Sequence, residues 1–350
     1  MSLSSAYDFI VQWHLTEKCN LRCRHCYQAG ASPGEMDFDL IRSVVYEIDR
    51  MLRDWQEAYD LEFSPSFNVT GGEPFLRPDF LAILEEMVGA GFDCHVLSNG
   101  TIITKDRAQA LAGLGVKGVQ ISLEGPEEIH DEIRGMGSFA LSLKGIRNLL
   151  DVGVPVSMNA TLSRLNAEYV MDLIDLAAGI GVRRLGFSRL VPSGQGLGLL
   201  NHMLAPDSAR RLYETIFSLS AKGLELVTGD PIAAQMSSPG DGEDLGDFPS
   251  GGCAAGVAGL TILADGTVTP CRRLPVPLGR VGEDSLREIW ATSPVLAQLR
   301  DRSRYQGKCG SCKRWSACRG CRAIAYAYAQ SQGNPDFLAP DPQCFIEADS

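Results

Sequence analysis

The chain has 350 residues, enough for one large domain and a smaller one, because single cores stop growing below about 300 residues. Its net charge of −11 argues against nucleic acid as a partner, since phosphate binding needs a basic surface. No apolar run reaches the length that spans a bilayer, and the N-terminus lacks the basic region and cleavage site of a signal peptide. We therefore expect a cytoplasmic protein without a membrane partner.

Short apolar segments alternate with helical patterns from about residue 8 to 190. The predicted strands are 9–16, 66–70, 93–97, 118–123, 155–161 and 184–188. The predicted helices are the apolar stripe from Phe38 to Trp55, a helix beginning at Pro78-Asp79, and segments 105–114, 139–152 and 167–180. This alternation predicts an α/β fold with parallel strands. Six units are too few for a closed eight-unit barrel, so we expect a partial (β/α)6 barrel with its chemistry at the C-terminal strand ends.

The rest of the chain divides into a connection and a second domain. A further helix is predicted over 205–222, and the stretch 237–252, rich in Gly, Pro, Ser and Asp, is predicted to be a linker or mobile loop. This loop is a candidate to lie over the active site. We therefore expect a barrel domain over 1–204, a bridging helix and linker over 205–252, and a small cysteine-rich domain over 253–350.

Eleven cysteines are unusual for a long chain without an export signal, and their odd number argues against a disulfide framework. Cys94 lies in an apolar run and is predicted to be a buried structural thiol. Cys19, Cys23 and Cys26 form C-x-x-x-C-x-x-C directly after the first strand. Three thiolates at this spacing can bind one face of a 4Fe–4S cube and leave its fourth iron open. A zinc site would need a fourth ligand, for which His25 would have to fold back.

Further polar motifs follow the strands. They are Gly71-Gly72-Glu73-Pro74, Ser98-Asn99-Gly100, and Ser122-Leu123-Glu124-Gly125-Pro126 followed by Arg134, with Asn159 and Thr161 ending the fifth strand. The first two motifs also fit ordinary turns, and Arg134 also fits a surface ion pair. Glycines allow close approach of a backbone to a ligand, and a carboxylate accepts from an ammonium group.

Together with the cysteine triad and the adjacent Tyr27, these motifs resemble the radical S-adenosylmethionine (SAM) superfamily. Glu124 is a departure, since relatives usually carry Asp there. The resemblance implies that the open iron binds SAM, whose reductive cleavage yields a 5′-deoxyadenosyl radical that abstracts hydrogen from a substrate. The implied SAM-contact residues are Tyr27, Gly71, Gly72, Glu73, Pro74, Ser98, Asn99, Ser122, Arg134, Asn159 and Thr161.

The second cysteine set is Cys253, Cys271, Cys309, Cys312, Cys318, Cys321 and Cys344. C-x-x-C pairs suit zinc or iron–sulfur clusters, so two zinc sites stay open as an alternative. The arrangement resembles the SPASM domain, which holds auxiliary clusters in some radical SAM enzymes. The resemblance implies three 4Fe–4S clusters in all. An inner auxiliary cluster, one cysteine short, would be held by Cys253, Cys271 and Cys321, and an outer one by Cys309, Cys312, Cys318 and Cys344. The gap from Cys318 to Cys321 has two residues, where the commonest pattern has three.

The substrate is the least determined feature. SPASM-bearing enzymes mostly modify peptides, and others make cofactors such as haem variants. Our first hypothesis is a maturase of a ribosomally made peptide. The alternatives are a cofactor- or haem-modifying enzyme and a non-catalytic metal-binding interaction module. The resemblance disfavours sulfatase maturation, because those enzymes carry Asp where this chain has Arg272.

The predicted first strand begins about ten residues into the chain, which leaves no room for a fused leader-binding domain. We therefore expect a peptide bound directly or through a separate leader-binding protein, and an electron donor such as flavodoxin or ferredoxin. No residue identifies the general base. Four residues are candidates only because they lie near cluster ligands in sequence: Asp265, Glu283, Asp284 and Tyr305.

Overall fold

The computed structural model describes residues 7–28, 34–219, 223–236 and 247–346. Its strands are β1 Tyr7–His14, β2 Phe63–Thr70, β3 Asp93–Ser98, β4 Gly118–Ser122, β5 Val156–Leu162, β6 Arg184–Arg189, β7 Glu225–Thr228, β8 Gly259–Ile262, β9 Thr267–Thr269 and β10 Gly279–Arg280. Its α-helices are α1 Phe38–Tyr59, α2 Phe80–Gly89, α3 Lys105–Leu114, α4 Glu127–Arg134, α5 Ser138–Asp151, α6 Val170–Ile180, α7 Pro206–Ser218, α8 Leu286–Thr292, α9 Pro294–Arg300, α10 Gly307–Ser311 and α11 Arg322–Ser331.

The strands form a ten-stranded sheet in the order β10-β9-β8-β1-β2-β3-β4-β5-β6-β7. Every pair from β8 through β1 to β7 is parallel, whereas β9 is antiparallel to both of its neighbours, β8 and β10. In the described part of the chain no pairing joins β7 to β10, so the sheet stays open. The α/β class and the partial barrel predicted from the alternating pattern are confirmed.

The core lies between the sheet and the helices that cross over it. Trp13 on β1 is fully buried and its ring lies 5.8 Å from that of Phe67 on β2. The stripe predicted for α1 is buried at Ile41, Val45, Ile48, Leu52 and Trp55. The helix begins where the Asp37 side chain accepts a hydrogen bond from the Leu40 amide, which satisfies a free N–H of the first turn. Cys94 is buried in this core, and burial raises the pKa of its thiol to about 12.

Four elements differ from the sequence-based expectation. Helix α2 begins at Phe80 rather than at Pro78, and α4 was not predicted because its eight residues carry little apolar pattern. Strand β7 lies in the predicted bridging region 205–252, between its predicted helix and its predicted linker, and pairs with β6, and β8 of the cysteine-rich segment pairs with β1. The sheet therefore crosses the expected boundaries at 204 and 252, and the three-part division stays a prediction.

The loop predicted over 237–252 is described only from residue 247. Residues 237–246 lie outside the described residues. In the remainder, the Ser250 amide donates to the Ser316 carbonyl and the Cys253 amide to the Cys318 carbonyl, so this end packs on the cysteine-rich segment. Separately, no helix of the described residues is long and apolar enough to cross a membrane.

Candidate active site

A cavity of about 720 Å³ lies at the C-terminal ends of β1 to β6. It is the edge of the sheet at which parallel α/β folds place their chemistry. Residues from all six predicted strand exits line it. From the predicted set they are Cys19, Cys23, Cys26, Tyr27, Gly71, Gly72, Ser98, Asn99, Ser122, Arg134, Asn159 and Thr161.

The cysteine triad occupies a loop that backbone hydrogen bonds hold on both sides. The Arg24 amide donates to the Ile133 carbonyl at 2.8 Å, and the Gly196 amide donates to the Cys26 carbonyl at 2.9 Å. Burial raises the pKa of all three thiols, that of Cys23 to about 11, and the thiols of Cys23 and Cys26 also feel the charge of other members of the triad. Three neighbouring thiols facing one cavity are a donor set that fits an iron–sulfur cluster.

No three His, Cys, Asp or Glu side chains among the described residues converge as a site for a single metal ion. The ligands of a cubane bind separate irons, so they do not need to converge on one point. His25, the candidate fourth ligand of a zinc site, instead places its Nε2 atom 3.0 Å from Glu124 Oε1. The ring is therefore a partner of Glu124 rather than of the cysteines.

Gly71 and Gly72 allow two stretches of protein backbone to touch. A Cβ atom on Gly71 would lie 2.4 Å from the Thr16 carbonyl oxygen, and one on Gly72 would lie 2.3 Å from that of Lys18. The amides of Gly72 and Glu73 donate to these same carbonyls at 2.7 and 2.8 Å. We expected the glycines to admit a ligand. They do line the cavity, but their tight contact is with the backbone that leads into Cys19.

The Glu73 side chain does not reach the cavity, which corrects the expectation that its carboxylate receives the ammonium group of SAM. It is fully buried and accepts hydrogen bonds from Ser98 Oγ at 2.9 Å and from the Asn99 amide at 2.9 Å. Burial raises its pKa to about 7, although these hydrogen bonds act in the opposite direction. Pro74 is also buried and does not line the cavity. Both residues therefore support the strand exits from the protein interior, without lining the cavity.

Arg134 makes a buried ion pair with Glu124. Its Nε and Nη2 atoms lie 2.8 and 2.6 Å from Glu124 Oε1, while Nη1 lies 3.8 Å from Cys23 Sγ. Burial alone would raise the pKa of Glu124, but the charges of Arg134 and His25 hold it well below its usual range. The other carboxylate oxygen accepts from the Thr161 amide at 2.8 Å. Glu124 thus fixes the guanidinium so that one side faces the triad.

The remaining predicted contact residues present polar groups to the cavity. Asn99 donates to Asn20 Oδ1 at 3.0 Å, and Asn159 lies within 3.5 Å of Ser188 Oγ. The Tyr27 hydroxyl lies 3.1 Å from His14 Nε2, and burial raises its pKa to about 12. Ser122 lines the cavity as well.

Contacts and charges link several of the seven C-terminal cysteines to one another, and Cys253 lies near members of both predicted sets, since Tyr305 feels the charges of Cys253 and Cys309. After burial and one backbone hydrogen bond, the main influences on the pKa of Cys312 are the charges of Cys309 and Cys344. Gln235 Nε2 lies 3.0 Å from Cys318 Sγ and 3.9 Å from Cys344 Sγ, which places these two thiols together. Cys321 instead feels the charge of Cys253, and Arg273 lies beside both Cys321 and Cys271.

The four general-base candidates lie outside the cavity lining, which corrects that expectation. Asp265 accepts from the Thr267 amide in a turn, and Asp284 accepts from the Arg280 amide. The Glu283 side chain is exposed, and the Tyr305 hydroxyl is buried and donates to the Leu299 carbonyl. Asp265 lies in the turn between β8 and β9, and Glu283 and Asp284 follow β10, whereas Tyr305 does lie close enough to Cys253 and Cys309 for their charges to act on it.

Several cavity residues were not expected from the sequence: Glu17, Gln28, Arg189, Arg272 and Arg273. Arg272 and Arg273 directly follow Cys271, so adjacency to a cysteine was the available signal. Glu17 accepts from Gln28 Nε2 at 2.6 Å across the triad loop. Arg189 has no local signal, because its partners are distant in the chain.

These features, a partial barrel with a cysteine triad at its open strand ends and a second cysteine set beside it, define an iron–sulfur enzyme class. Residues 13–177 match the Radical SAM superfamily, and residues 253–322 match the SPASM iron–sulfur cluster-binding domain. The chain belongs to the radical SAM superfamily and carries a SPASM domain. It is a radical SAM enzyme.

Curated relatives align over nearly the whole chain. An AdoMet-dependent heme synthase of Methanosarcina barkeri is 30% identical over 352 residues, which cover 96% of this chain and 95% of that protein. The mycofactocin maturase MftC of Mycobacterium ulcerans is 32% identical over 348 residues, which cover 95% of this chain and 86% of that protein. Relatives thus include both enzymes named for haem and enzymes named as maturases.

Solved structures share the fold at lower identity. Streptococcus suis SuiB bound to precursor peptide SuiA superposes with a TM-score of 0.75 at 18% identity, covering 97% of this chain and 76% of that chain. The structure of anSMEcpe with bound AdoMet and Kp18Cys peptide has a TM-score of 0.73 at 19% identity, covering 96% of this chain and 94% of that chain. At these sequence identities the likeness shows a shared fold and nothing beyond it.

Proposed function

We propose that this radical SAM enzyme modifies a ribosomally made peptide, with one SAM-binding 4Fe–4S cluster and two auxiliary clusters. The observation that carries the proposal is the single cavity onto which the cysteine triad and the polar ends of all six strands open. Alignment with the maturase MftC and the fold shared with SuiB support a peptide substrate.

A separate set of cysteines would hold each of the three clusters. Cys19, Cys23 and Cys26 would hold the SAM-binding cluster, which supplies the electron and the open iron that radical chemistry needs. The thiols of Cys253, Cys271 and Cys321 would hold the inner auxiliary cluster. Those of Cys309, Cys312, Cys318 and Cys344 would hold the outer one, which is supported by the charges of Cys309 and Cys344 on Cys312 and by the approach of Gln235 to both Cys318 and Cys344. A flavodoxin or ferredoxin would be the electron donor, and a separate protein could bind the leader peptide.

SAM would be oriented by groups that are already held in place. Arg134 has two of its nitrogens tied to Glu124, so its Nη1 side can donate to a carboxylate next to the triad. Ser122 and Asn99 add hydroxyl and amide groups in the same cavity. The backbone of Gly71 and Gly72 forms part of the cavity wall. These groups position the cofactor, and the surrounding cavity wall limits access of water.

A haem or other tetrapyrrole substrate is the second candidate. It is favoured by the AdoMet-dependent heme synthases, of which the one from M. barkeri aligns over 96% of this chain. A peptide maturase should bind a peptide encoded near its gene and change its mass. A tetrapyrrole enzyme should bind a tetrapyrrole and shift its visible spectrum.

The test begins with anaerobic purification, cluster reconstitution and measurement of iron, sulfide and zinc per chain. Dithionite and SAM are then added and 5′-deoxyadenosine is assayed. We expect about twelve irons, falling to about eight in the Cys19/Cys23/Cys26 triple alanine variant with loss of 5′-deoxyadenosine. About four irons with zinc would contradict the auxiliary clusters, and absence of SAM cleavage would contradict the function.

A further inference from the structure

Arg272 and Arg273 occupy the two central positions of a tight turn beside the cavity. The Leu274 amide donates to the Cys271 carbonyl at 2.9 Å and closes the turn, while the Leu274 side chain is fully buried and anchors it. Both arginine side chains are half-buried and line the same cavity as the cysteine triad. The cysteine-rich segment therefore presents two adjacent positive charges to the active site.

Neither arginine makes an ion pair with a carboxylate within the part of the chain that the structure describes, although the charge of Asp230, itself paired with Arg189, acts on Arg273. The other two guanidiniums deep in the cavity are paired, Arg134 with Glu124 and Arg189 with Asp230 and Asp341. By contrast, Arg272 and Arg273 make no ion pair or hydrogen bond with described residues, and the Nε atom of Arg273 is buried without a partner.

The carboxylates that line the cavity are engaged elsewhere. Glu17 accepts from Gln28, and Glu35 accepts from Thr16 Oγ1 at 2.6 Å and from Lys18. A buried guanidinium donor left without an acceptor costs free energy, so donors kept free in a cavity indicate an acceptor that enters from outside.

We propose that Arg272 and Arg273 bind a carboxylate of the substrate, an inference that rests on the proposed function and names its substrate class as acidic. A guanidinium offers a planar pair of N–H donors that matches a carboxylate, and two adjacent ones can hold both oxygens. Arg272 lies 5.8 Å from the centre of the Tyr27 ring, which fixes its side chain while leaving the N–H groups available. The anion is the terminal or side-chain carboxylate of a peptide, or an acidic side chain of a tetrapyrrole.

The sulfur ligands are the competing partner for this charge. Cys271 and Cys321 lie close enough to Arg273 for their charges to act on it, so part of its charge can balance the cluster ligands. However, Arg273 makes no hydrogen bond to sulfur within the described residues, whereas Arg134 does reach Cys23 Sγ at 3.8 Å. Balancing the charge of the sulfur ligands with Arg273 would also not explain why Arg272 lines the cavity.

The experiment measures selectivity for acids on the reconstituted, SAM-loaded enzyme. The probes are a pool of random short peptides with free carboxyl termini, the same pool amidated, a porphyrin tetracarboxylate and its tetramethyl ester. Retained molecules are quantified by mass spectrometry for the wild type, for R272Q, R273Q and R273K, and for the control R147Q, which removes an exposed guanidinium from α5.

We expect at least one acid to be preferred over its amide or ester by about tenfold or more in the wild type and in R147Q. The preference should be lost in R272Q and R273Q and reduced in R273K, which keeps the charge but not the planar donor pair. A preference confined to peptides or to porphyrins identifies the source of the carboxylate.

Absence of any preference, or an unchanged preference in R273Q, would overturn the proposal. So would a change confined to iron content, since that is the result charge balance alone predicts. Because binding is read without turnover, an arginine-dependent preference without SAM cleavage would count against the proposed function and not against the carboxylate site.

Discussion

Two buried glutamates at the exits of β2 and β4 show how charged partners decide the state of a carboxyl group. Glu124 and Glu73 are both almost inaccessible to solvent. Glu124 faces Arg134 and His25, and its pKa is held well below its usual range. Glu73 accepts hydrogen bonds only from neutral donors, and these together with the weaker influence of the Arg107 charge do not offset the cost of burial, so its pKa rises to about 7. The two carboxyls therefore differ in charge near pH 6, although their sequence contexts look alike.

This difference predicts a pH dependence of stability. Between about pH 4.5 and 7, folded Glu73 keeps a proton that the unfolded chain releases, so its contribution to stability falls as the pH rises through this window. The fall should amount to at most about 3.5 kcal/mol. Glu73→Gln, which is neutral at every pH, should remove it. Urea unfolding of both proteins at pH 5 and pH 8 measures the effect, with Glu128→Gln on the exposed face of α4 as control. Equal pH slopes for wild type and Glu73→Gln would contradict the assignment.

At the scale of elements, the site depends on how closely the exits of β1 and β2 approach each other. The parallel register of β1 with β2 runs from Tyr7 and Phe63 to His14 and Thr70 without interruption. Beyond the ends of the two strands, the two segments of backbone stay in contact through Gly71 and Gly72. Since the backbone that receives them leads directly into Cys19, the position of the cysteine triad follows from this glycine contact.

Gly72→Ala should therefore displace the triad loop, because its Cβ would lie 2.3 Å from the Lys18 carbonyl oxygen. We expect the loss of about four irons per chain and of 5′-deoxyadenosine formation. The matched control is Gly113→Ala on α3, where an added Cβ meets nothing within 4 Å. That variant should keep its iron and be stabilised by about 0.5–1 kcal/mol. Normal iron content in Gly72→Ala would show that the contact is dispensable.

At the scale of the whole molecule, one buried arginine ties the sheet to the C-terminal region. Arg189 at the end of β6 donates to Asp230 Oδ1 at 2.8 Å and to Asp341 Oδ2 at 2.8 Å. Asp341 in turn accepts from the Cys321 amide at 2.8 Å. Gln343 extends the network by donating to the Leu204 carbonyl at 2.8 Å. One buried network of ion pairs and hydrogen bonds therefore connects the wall of the cavity, the segment that follows β7 and a cysteine of the SPASM domain.

Removing this arginine should destabilise the protein strongly. Arg189→Gln leaves two buried carboxylates without their cation, which costs about 3–5 kcal/mol. The matched control lies on the same strand, where exposed Arg184 pairs with Glu225 and its change to Gln should cost no more than about 1 kcal/mol. Anaerobic urea unfolding compares the two variants, and iron content reports on the SPASM domain. Similar losses in both variants would mean that the buried network is not what joins the regions.

Patterns within short segments of the sequence were sufficient to predict much of the fold. Short apolar segments that alternate with helical patterns predicted the six strands from β1 to β6, because most of these strands bury every second side chain in the core. The spacing of Cys19, Cys23 and Cys26 predicted a metal-binding loop, because ligands within one loop are close together in any conformation. Helix α4 escaped prediction, since its short polar sequence is stabilised by what it packs against.

The sequence by itself therefore determined the fold class, the cysteines expected to bind clusters and the edge of the sheet at which the cavity forms, all of which depend on neighbours along the chain. Only the tertiary structure decided that Glu73 faces away from the cavity, that Arg134 is paired with Glu124, and that β8 extends the sheet beside β1. It also decided that Arg272 and Arg273 reach the cavity without partners. The physical reason is that burial and charge pairing arise between residues far apart in sequence, and no local pattern records which of them meet.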